Sequence, residues 1–203
     1  MSEIAAYSDE AYIRGKAPIT KREIRVLTVA LLGIDASDVV VDIGAGTGGL
    51  TMEAAHAARA GRVYAVEAEP AAQALIRQNI KHFDASNVTL IEGRAPQALE
   101  AIGEPADKII VGGSGGAVEN ILVWCRDHLR DGGRVATNFI TLENAVRAKL
   151  YLTTHFQNVE VIQVGISRGE PVGGLTMMKA QNPIYIITAD KKGPGTEGKK
   201  DRH

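Results

Sequence analysis

The spacing of apolar residues changes period repeatedly along the chain, and each change marks an element. From Thr20 to Gly33, Ile24, Leu27 and Leu31 form one stripe at helical spacing, with Gly33 as the stop. The T-K-R-E run at its start reads as a capping box, Thr20 capping and Glu23 three residues on. Val39 to Ile43 is a short apolar run between polar residues and a glycine-rich turn, the pattern of a strand buried on both faces. The Ala-rich stretch Leu50 to Ala60 predicts a helix. The alternation continues with strand Arg62 to Glu67, helix Pro70 to Phe83, strand Val88 to Glu92, a helix near Pro96 to Ile102 and strand Lys108 to Val111. Helix Ala117 to Leu129, strand Arg134 to Asn138 and helix Leu142 to Phe156 complete it. Strands alternating with helices predict an α/β fold with right-handed crossovers, a doubly wound, mostly parallel sheet carrying helices on both faces.

The pattern breaks near the end. Val159 to Ser167 and Pro183 to Thr188 read as strands joined by GEPVGGLTMMKAQN, which has no helical stripe. They should pair antiparallel as a long-looped hairpin, which makes seven strands with the last antiparallel. A loop of that length inside a compact domain is often functional or at an interface. Lys191 to His203 carries no apolar anchor and is expected to be a disordered polar tail behind a single domain over 1–190. No internal repeat or interdomain linker interrupts that domain.

Composition narrows the function classes. At 203 residues and 45% hydrophobic, the chain can bury roughly 70% of its unfolded surface and needs no disulfide or structural metal. Its one cysteine, Cys125 beside Trp124, excludes an internal disulfide and reads as a buried small hydrophobe. With 23 Lys+Arg against 24 Asp+Glu there is no global field to capture nucleic acid, so a polyanionic ligand must meet a local patch. Aromatics at 4% are too few for a base-stacking platform. The acidic start lacks the basic and apolar regions of a signal peptide, and no run reaches membrane-span length. A soluble cytoplasmic protein is expected, without membrane or nucleic-acid partners.

Candidate chemistry concentrates in the 22 glycines. Gly44, Gly46, Gly48 and Gly49 follow one predicted strand, and Gly112, Gly113, Gly115 and Gly116 follow another, so both groups lie at the carboxyl edge of the sheet, where open α/β sheets bind ligands. The run V-V-V-D-I-G-A-G-T-G-G gives strand, turn and helix start, and Glu67 at the end of the next strand can accept hydrogen bonds from both hydroxyls of a ribose. A dinucleotide and S-adenosylmethionine compete for such a turn. Asp42, two residues before the first glycine, favours a cationic ligand over a pyrophosphate. His56, His82, His128, His155 and His203 have no metal-ligand spacing, and no Ser-His-Asp order is evident, so neither a metal nor a catalytic side chain is assigned.

D-I-G-A-G-T-G resembles motif I of the class I S-adenosylmethionine-dependent methyltransferases. By that resemblance Gly44, Ala45, Gly46, Thr47 and Gly48 wrap the amino-acid end of the cofactor, Glu67 holds the ribose, and Gly93, Arg94 and Ala95 border the adenine. The runs P-I-T-K-R-E-I-R, E-G-R-A-P, G-G-S-G-G, N-F-I-T-L-E and N-P-I-Y-I-I, in that order, are similar to a narrower family, the cobalt-precorrin carbon-15 methyltransferases (decarboxylating) of anaerobic cobalamin biosynthesis. The resemblance implies methylation at carbon 15 of a tetrapyrrole coupled to decarboxylation of an acetate arm, a homo-oligomer, suggested as a tetramer, and a cofactor contact from Thr20. Arg94 stands where the wider family often has Asp, so backbone groups of Ala95 would replace that contact. A ring that supplies its own enamine-like carbon needs no strong protein base.

The implied substrate carries many carboxylates, for which Lys21, Arg22, Arg25, Arg94, Arg168 and Lys179 are candidates by location. Gly112, Gly113, Ser114 and Gly115 could let a flat macrocycle lie against backbone. A methyltransferase for RNA or a protein side chain is the alternative within the fold, although no N-P-P-Y or D-P-P-Y follows the fourth strand. A non-catalytic NAD-binding module is the alternative outside it. Under the resemblance, a length of 203 residues is expected to correspond to the carbon-15 unit without the carbon-5 methyltransferase domain that related aerobic-pathway proteins carry in the same chain.

Overall fold

The structure, a computed structural model, describes residues 2–15 and 19–193. Pro18 of the P-I-T-K-R-E-I-R run, and 194–203 of the expected tail, lie outside the described residues. The elements run α1 (Arg22–Leu32), β1 (Val39–Ile43), α2 (Gly49–Ala57), β2 (Arg62–Glu67), α3 (Pro70–His82), β3 (Val88–Glu92), β4 (Ala106–Val111), α4 (Val118–His128), β5 (Leu129–Phe139), α5 (Leu142–His155), β6 (Gln157–Val164), β7 (Ser167–Val172), β8 (Leu175–Ala180) and β9 (Ile184–Asp190). Seven strands form one sheet in the order β3-β2-β1-β4-β5-β9-β6, and β9 alone runs against its neighbours. The expected fold class and the antiparallel pairing of the last two sheet strands are both present.

Period-2 alternation on the central strands divides the core. Val41, Ile43, Ile109 and Val111 face one side, where Leu122, Cys125 and Leu152 of α4 and α5 cover them. Val40 and Ile110 face the other, under Val29, Leu32, Met52 and Ala54 of α1 and α2. Asp42 falls on this second face by the same alternation, within reach of α2. Cys125 is fully buried, and burial pushes its thiol pKa up, as suits a small core hydrophobe.

The structure corrects four expectations. Lys21 occupies the N-cap position of α1 with no side-chain cap bond, so the capping box does not form; Asp9 Oδ1 instead accepts from the Arg22 amide at 3.0 Å. The helix near Pro96 is only a 3-10 turn, Gln97–Ala101. The expected loop after β6 is a hairpin, β7 and β8 pairing Ser167 with Ala180 through Val172 with Leu175 in a separate two-stranded sheet. Its turn is Gly173-Gly174, both at positive φ (57° and 82°), the demand of a type I′ connection that glycine meets without strain. At the chain's end, Lys191 is not loose: its amide donates to Gly133 O at 2.8 Å.

Arg25 ties the N-terminal segment to α1 and α2. It is fully buried, with Nη1 2.7 Å from Asp9 Oδ1, Nε 3.4 Å from Glu53 Oε1, and further bonds to the carbonyls of Thr20 and Tyr7. Its guanidinium also lies 4.6 Å from the centroid of the Tyr12 ring. Glu53 in turn accepts from the amides of Ala6 and Tyr7 at 3.1 and 3.0 Å.

Candidate active site

The carboxyl ends of β1, β2, β4 and β5 open into one cleft of about 840 Å³. Its glycine turn begins where β1 ends. The amides of Gly44 and Ala45 both donate to Val66 O, at 2.9 and 3.1 Å, which folds the turn over the end of β2. Gly44 has φ 73°, and a Cβ there would overlap Gly113 O and lie 2.6 Å from Gly113 N. The two glycine clusters therefore touch backbone to backbone, a packing that only glycine permits.

Three carboxylates line this cleft: Asp42, Glu67 and the exposed Glu69, which lies 3.9 Å from the Arg94 guanidinium. Asp42 is 2% exposed, and its Oδ2 accepts from Thr51 Oγ1 at 2.6 Å. Burial raises its pKa to about 6, against the lowering effect of Thr51, and the charge of Glu67 raises it further. Glu67 holds the loops: Oε2 accepts from Gly46 N at 2.7 Å, and Oε1 from Ala68 N and Glu69 N, both at 2.8 Å. A carboxylate has about four acceptor positions. Three are taken, so one hydroxyl can be accepted without displacing an amide, not the two expected of a ribose diol.

Thr20, Ala45, Gly46 and Thr47 also line the cleft, as do Gly112, Gly113, Ser114 and Gly115. Thr47 is buried, and its carbonyl accepts from Asn79 Nδ2 at 3.0 Å. Gly48 is the N-cap residue of α2 at φ 82° and does not itself line the cleft. Toward β3 the cleft continues into a recess of about 180 Å³ bounded by Glu67, Gly93, Arg94 and Ala95. The Arg94 guanidinium reaches across it and lies where a Cβ on Gly115 would stand.

The basic candidates separate sharply. Lys21 borders a side pocket of about 320 Å³ between α1 and β9, and Arg94 borders the recess. Arg25 is internal and cannot meet a ligand. Arg168, on β7, bonds Glu23 at 2.8 Å, and Lys179 pairs with Glu170 at 3.2 Å; neither lines the cleft, and nor does Arg22. Asn138, Ile140, Thr141 and Asn144, at the β5–α5 junction, do line it without having been named as site residues. In the sequence, Asn138, Ile140 and Thr141 stand in the N-F-I-T-L-E run that carries part of the family resemblance, and Asn138 is a polar residue closing an apolar strand at the ligand-binding edge. The described histidines lie outside the cleft, His128 stacking on Trp124 with ring centroids 4.2 Å apart. Among the described residues no cluster of His, Cys, Asp and Glu could hold a metal, and no helix is long and apolar enough to cross a membrane.

Open backbone amides, one buried carboxylate near its titration point and one spare carboxylate lone pair suit a ligand with a hydroxyl and a positive charge. Residues 10–191 match the family described as the precorrin methyltransferase domain. The chain is similar to the probable cobalt-precorrin-6B C(15)-methyltransferase (decarboxylating) of Sulfolobus acidocaldarius, 37% identical over 91% of this chain and 96% of that one. The Salmonella typhimurium cobalt-precorrin-6B C(15)-methyltransferase (decarboxylating) is 33% identical over 91% and 95%. A crystal structure of a precorrin 8W decarboxylase from Methanobacterium thermoautotrophicum superposes with a TM-score of 0.84, at 37% identity, over 90% of this chain and 98% of that one.

Proposed function

The chain belongs to the precorrin methyltransferase family, and on that premise we propose that it transfers a methyl group from S-adenosylmethionine to carbon 15 of cobalt-precorrin-6B, with decarboxylation of an acetate arm. The observation that carries the reading is the meeting of the glycine turn, Asp42 and Glu67 in one cleft at the sheet edge. S-adenosylmethionine, when bound, supplies an electrophilic methyl on a sulfonium cation. The chain's part is to hold it. Ionised Asp42 attracts positive charge, the Gly44–Gly48 turn offers backbone groups, Glu67 accepts a hydroxyl, and the recess beside Gly93, Arg94 and Ala95 takes the adenine. Thr20 closes the side nearest α1, held by the bond of its carbonyl to Arg25. Lys21 and Arg94 are the basic groups available to substrate carboxylates, and the Gly112–Gly115 loop offers backbone to a flat ring.

The two buried cleft carboxylates are already engaged, Asp42 by Thr51 and Glu67 by three amides. The acceleration then comes chiefly from alignment of a reactive carbon with the methyl group rather than from a protein base. One domain over 1–190, working in the cytoplasm, carries these parts. The β7–β8 hairpin exposes Leu175 (77%) and Met178 (63%), and a two-stranded ribbon is marginal alone in water. It packs against further copies in a homo-oligomer, a tetramer by the family resemblance; sedimentation at a monomer's mass would contradict this.

Titration calorimetry with S-adenosylhomocysteine and with NADH tests the cofactor. Binding of the first is expected, and binding of NADH alone would overturn the methyltransferase reading. In the same assay Glu67→Ala should weaken binding by about 1–3 kcal/mol, the scale of charged hydrogen bonds lost. An unchanged affinity would remove Glu67 from the site.

Asp42 gives the binding a pH dependence. A carboxyl whose folded pKa is raised to about 6 contributes most to folding below its unfolded pKa, and that contribution is lost as pH rises through the folded value. Attraction for a cation runs the opposite way, because it needs the ionised form. Affinity for S-adenosylmethionine should therefore fall up to about tenfold from pH 7 to pH 5. Asp42→Asn should bind weakly and flatten the profile; an unaltered slope would assign the effect to another group.

A further inference from the structure

The side pocket between α1 and β9 shares three residues with the main cleft, Thr20, Asn138 and Ile140, so these form the wall where the two cavities meet. Asn138 is the one side chain on that wall with an amide, and its orientation is fixed from behind. Its Nδ2 donates to Thr28 Oγ1 at 3.0 Å. Thr28 is fully buried in α1, and its hydroxyl donates to Ile24 O at 2.7 Å. A threonine hydroxyl has a single proton, and the shorter bond to Ile24 takes it. The contact of the same hydroxyl with Asn138 Oδ1, at 3.3 Å, is then left without a proton. The amide is thus locked with its nitrogen toward Thr28, while one N–H and the carbonyl oxygen remain available at the junction. The pocket behind it is lined by the apolar side chains of Ile19, Ile24 and Ile184 together with the polar Lys21 and Asn182. An apolar ring edge that carries a carboxylate substituent fits such a lining.

We propose that the side pocket takes one edge of the tetrapyrrole and that Asn138, held in register by Thr28, orients the acceptor carbon toward the main cleft. This rests on the methyltransferase reading above. Asn138 contacts the substrate, whereas Thr28 is a positioning residue that acts through it. A misplacement of the acceptor by about 1 Å is enough to slow transfer about a hundredfold.

The test compares Asn138→Ala, Thr28→Val and Thr28→Ser for methyl transfer to cobalt-precorrin-6B and, separately, for calorimetric binding of S-adenosylhomocysteine. Asn138→Ala should lower kcat/KM by about tenfold or more while cofactor affinity stays within about twofold. Thr28→Val should give a smaller loss of the same kind, and Thr28→Ser, which keeps the hydroxyl, should restore the rate. An unchanged kcat/KM in Asn138→Ala overturns the proposal. So does a parallel fall in cofactor affinity, which would make Asn138 part of the cofactor site, or failure of Thr28→Ser to rescue. A wild-type chain that neither binds S-adenosylhomocysteine nor methylates the substrate overturns the methyltransferase reading itself, so the two failures are distinguishable.

Discussion

Arg25→Ala is expected to destabilise the protein by about 3–5 kcal/mol, the range for removing one partner of a buried ion pair. Arg25 and Glu53 are both fully buried, so the variant leaves the Glu53 carboxylate held only by the amides of Ala6 and Tyr7. It also strips donors from the carbonyls of Tyr7 and Thr20 and removes the 2.7 Å ion pair of Asp9, which keeps its bond from the Arg22 amide. Burial already pushes the Glu53 pKa up, and Arg25 is the main influence holding it down. Without Arg25 the folded state would favour protonated Glu53 still more. The contribution of a carboxyl with a raised folded pKa is present at low pH and lost as pH rises, so the deficit should be larger at pH 8 than at pH 5. Urea unfolding at the two pH values measures this, with a fall in Tm of roughly 6–20 °C as its thermal counterpart. Arg25→Met combined with Glu53→Leu should recover most of the loss, because the buried charge is removed with its partner. A loss below about 1 kcal/mol, the scale of an exposed pair, would contradict the network.

Gly44→Ala should be comparably damaging, but at the site. At φ 73° an alanine pays about 1–2 kcal/mol in the left-handed region, and its Cβ would overlap Gly113 O with no flexible side chain to move aside. The two sheet-edge loops must separate. Binding of S-adenosylhomocysteine should then fall at least about tenfold, with methyl transfer lost. Gly33→Ala is the matched control. Gly33 has φ 62° at the end of α1 with nothing within 4 Å of its Cβ position, so it carries the backbone penalty without the crowding. It should lose only that backbone penalty of about 1–2 kcal/mol in stability and keep its affinity. Equal behaviour of the two variants would show that the loops do not depend on this contact.

What the sequence disclosed follows from where the controlling interactions lie. β1, β2 and β3 match their expected bounds because their apolar runs and flanking turns are written into consecutive residues. The cleft residues Asp42, Gly44, Gly46 and Glu67 were legible for the same reason: strand, turn and helix start are contiguous. The capping box failed because a side chain thirteen positions upstream, Asp9, meets the helix start instead of Thr20. Arg25 resembles any solvated arginine of a helix until the N-terminal segment folds over it. The β7–β8 hairpin has no buried face to set a period, and only Gly173-Gly174 betrays it. Asn138 acquires its place from the sheet register that sets the end of β5 beside α1, which no local window contains.

Incubating the full chain with cobalt-precorrin-6B and S-adenosylmethionine, and following the tetrapyrrole by mass spectrometry, tests the central claim most directly. The expected product has gained one methyl group and lost one molecule of carbon dioxide. A substrate recovered with its mass unchanged, from protein that binds S-adenosylhomocysteine, would contradict it.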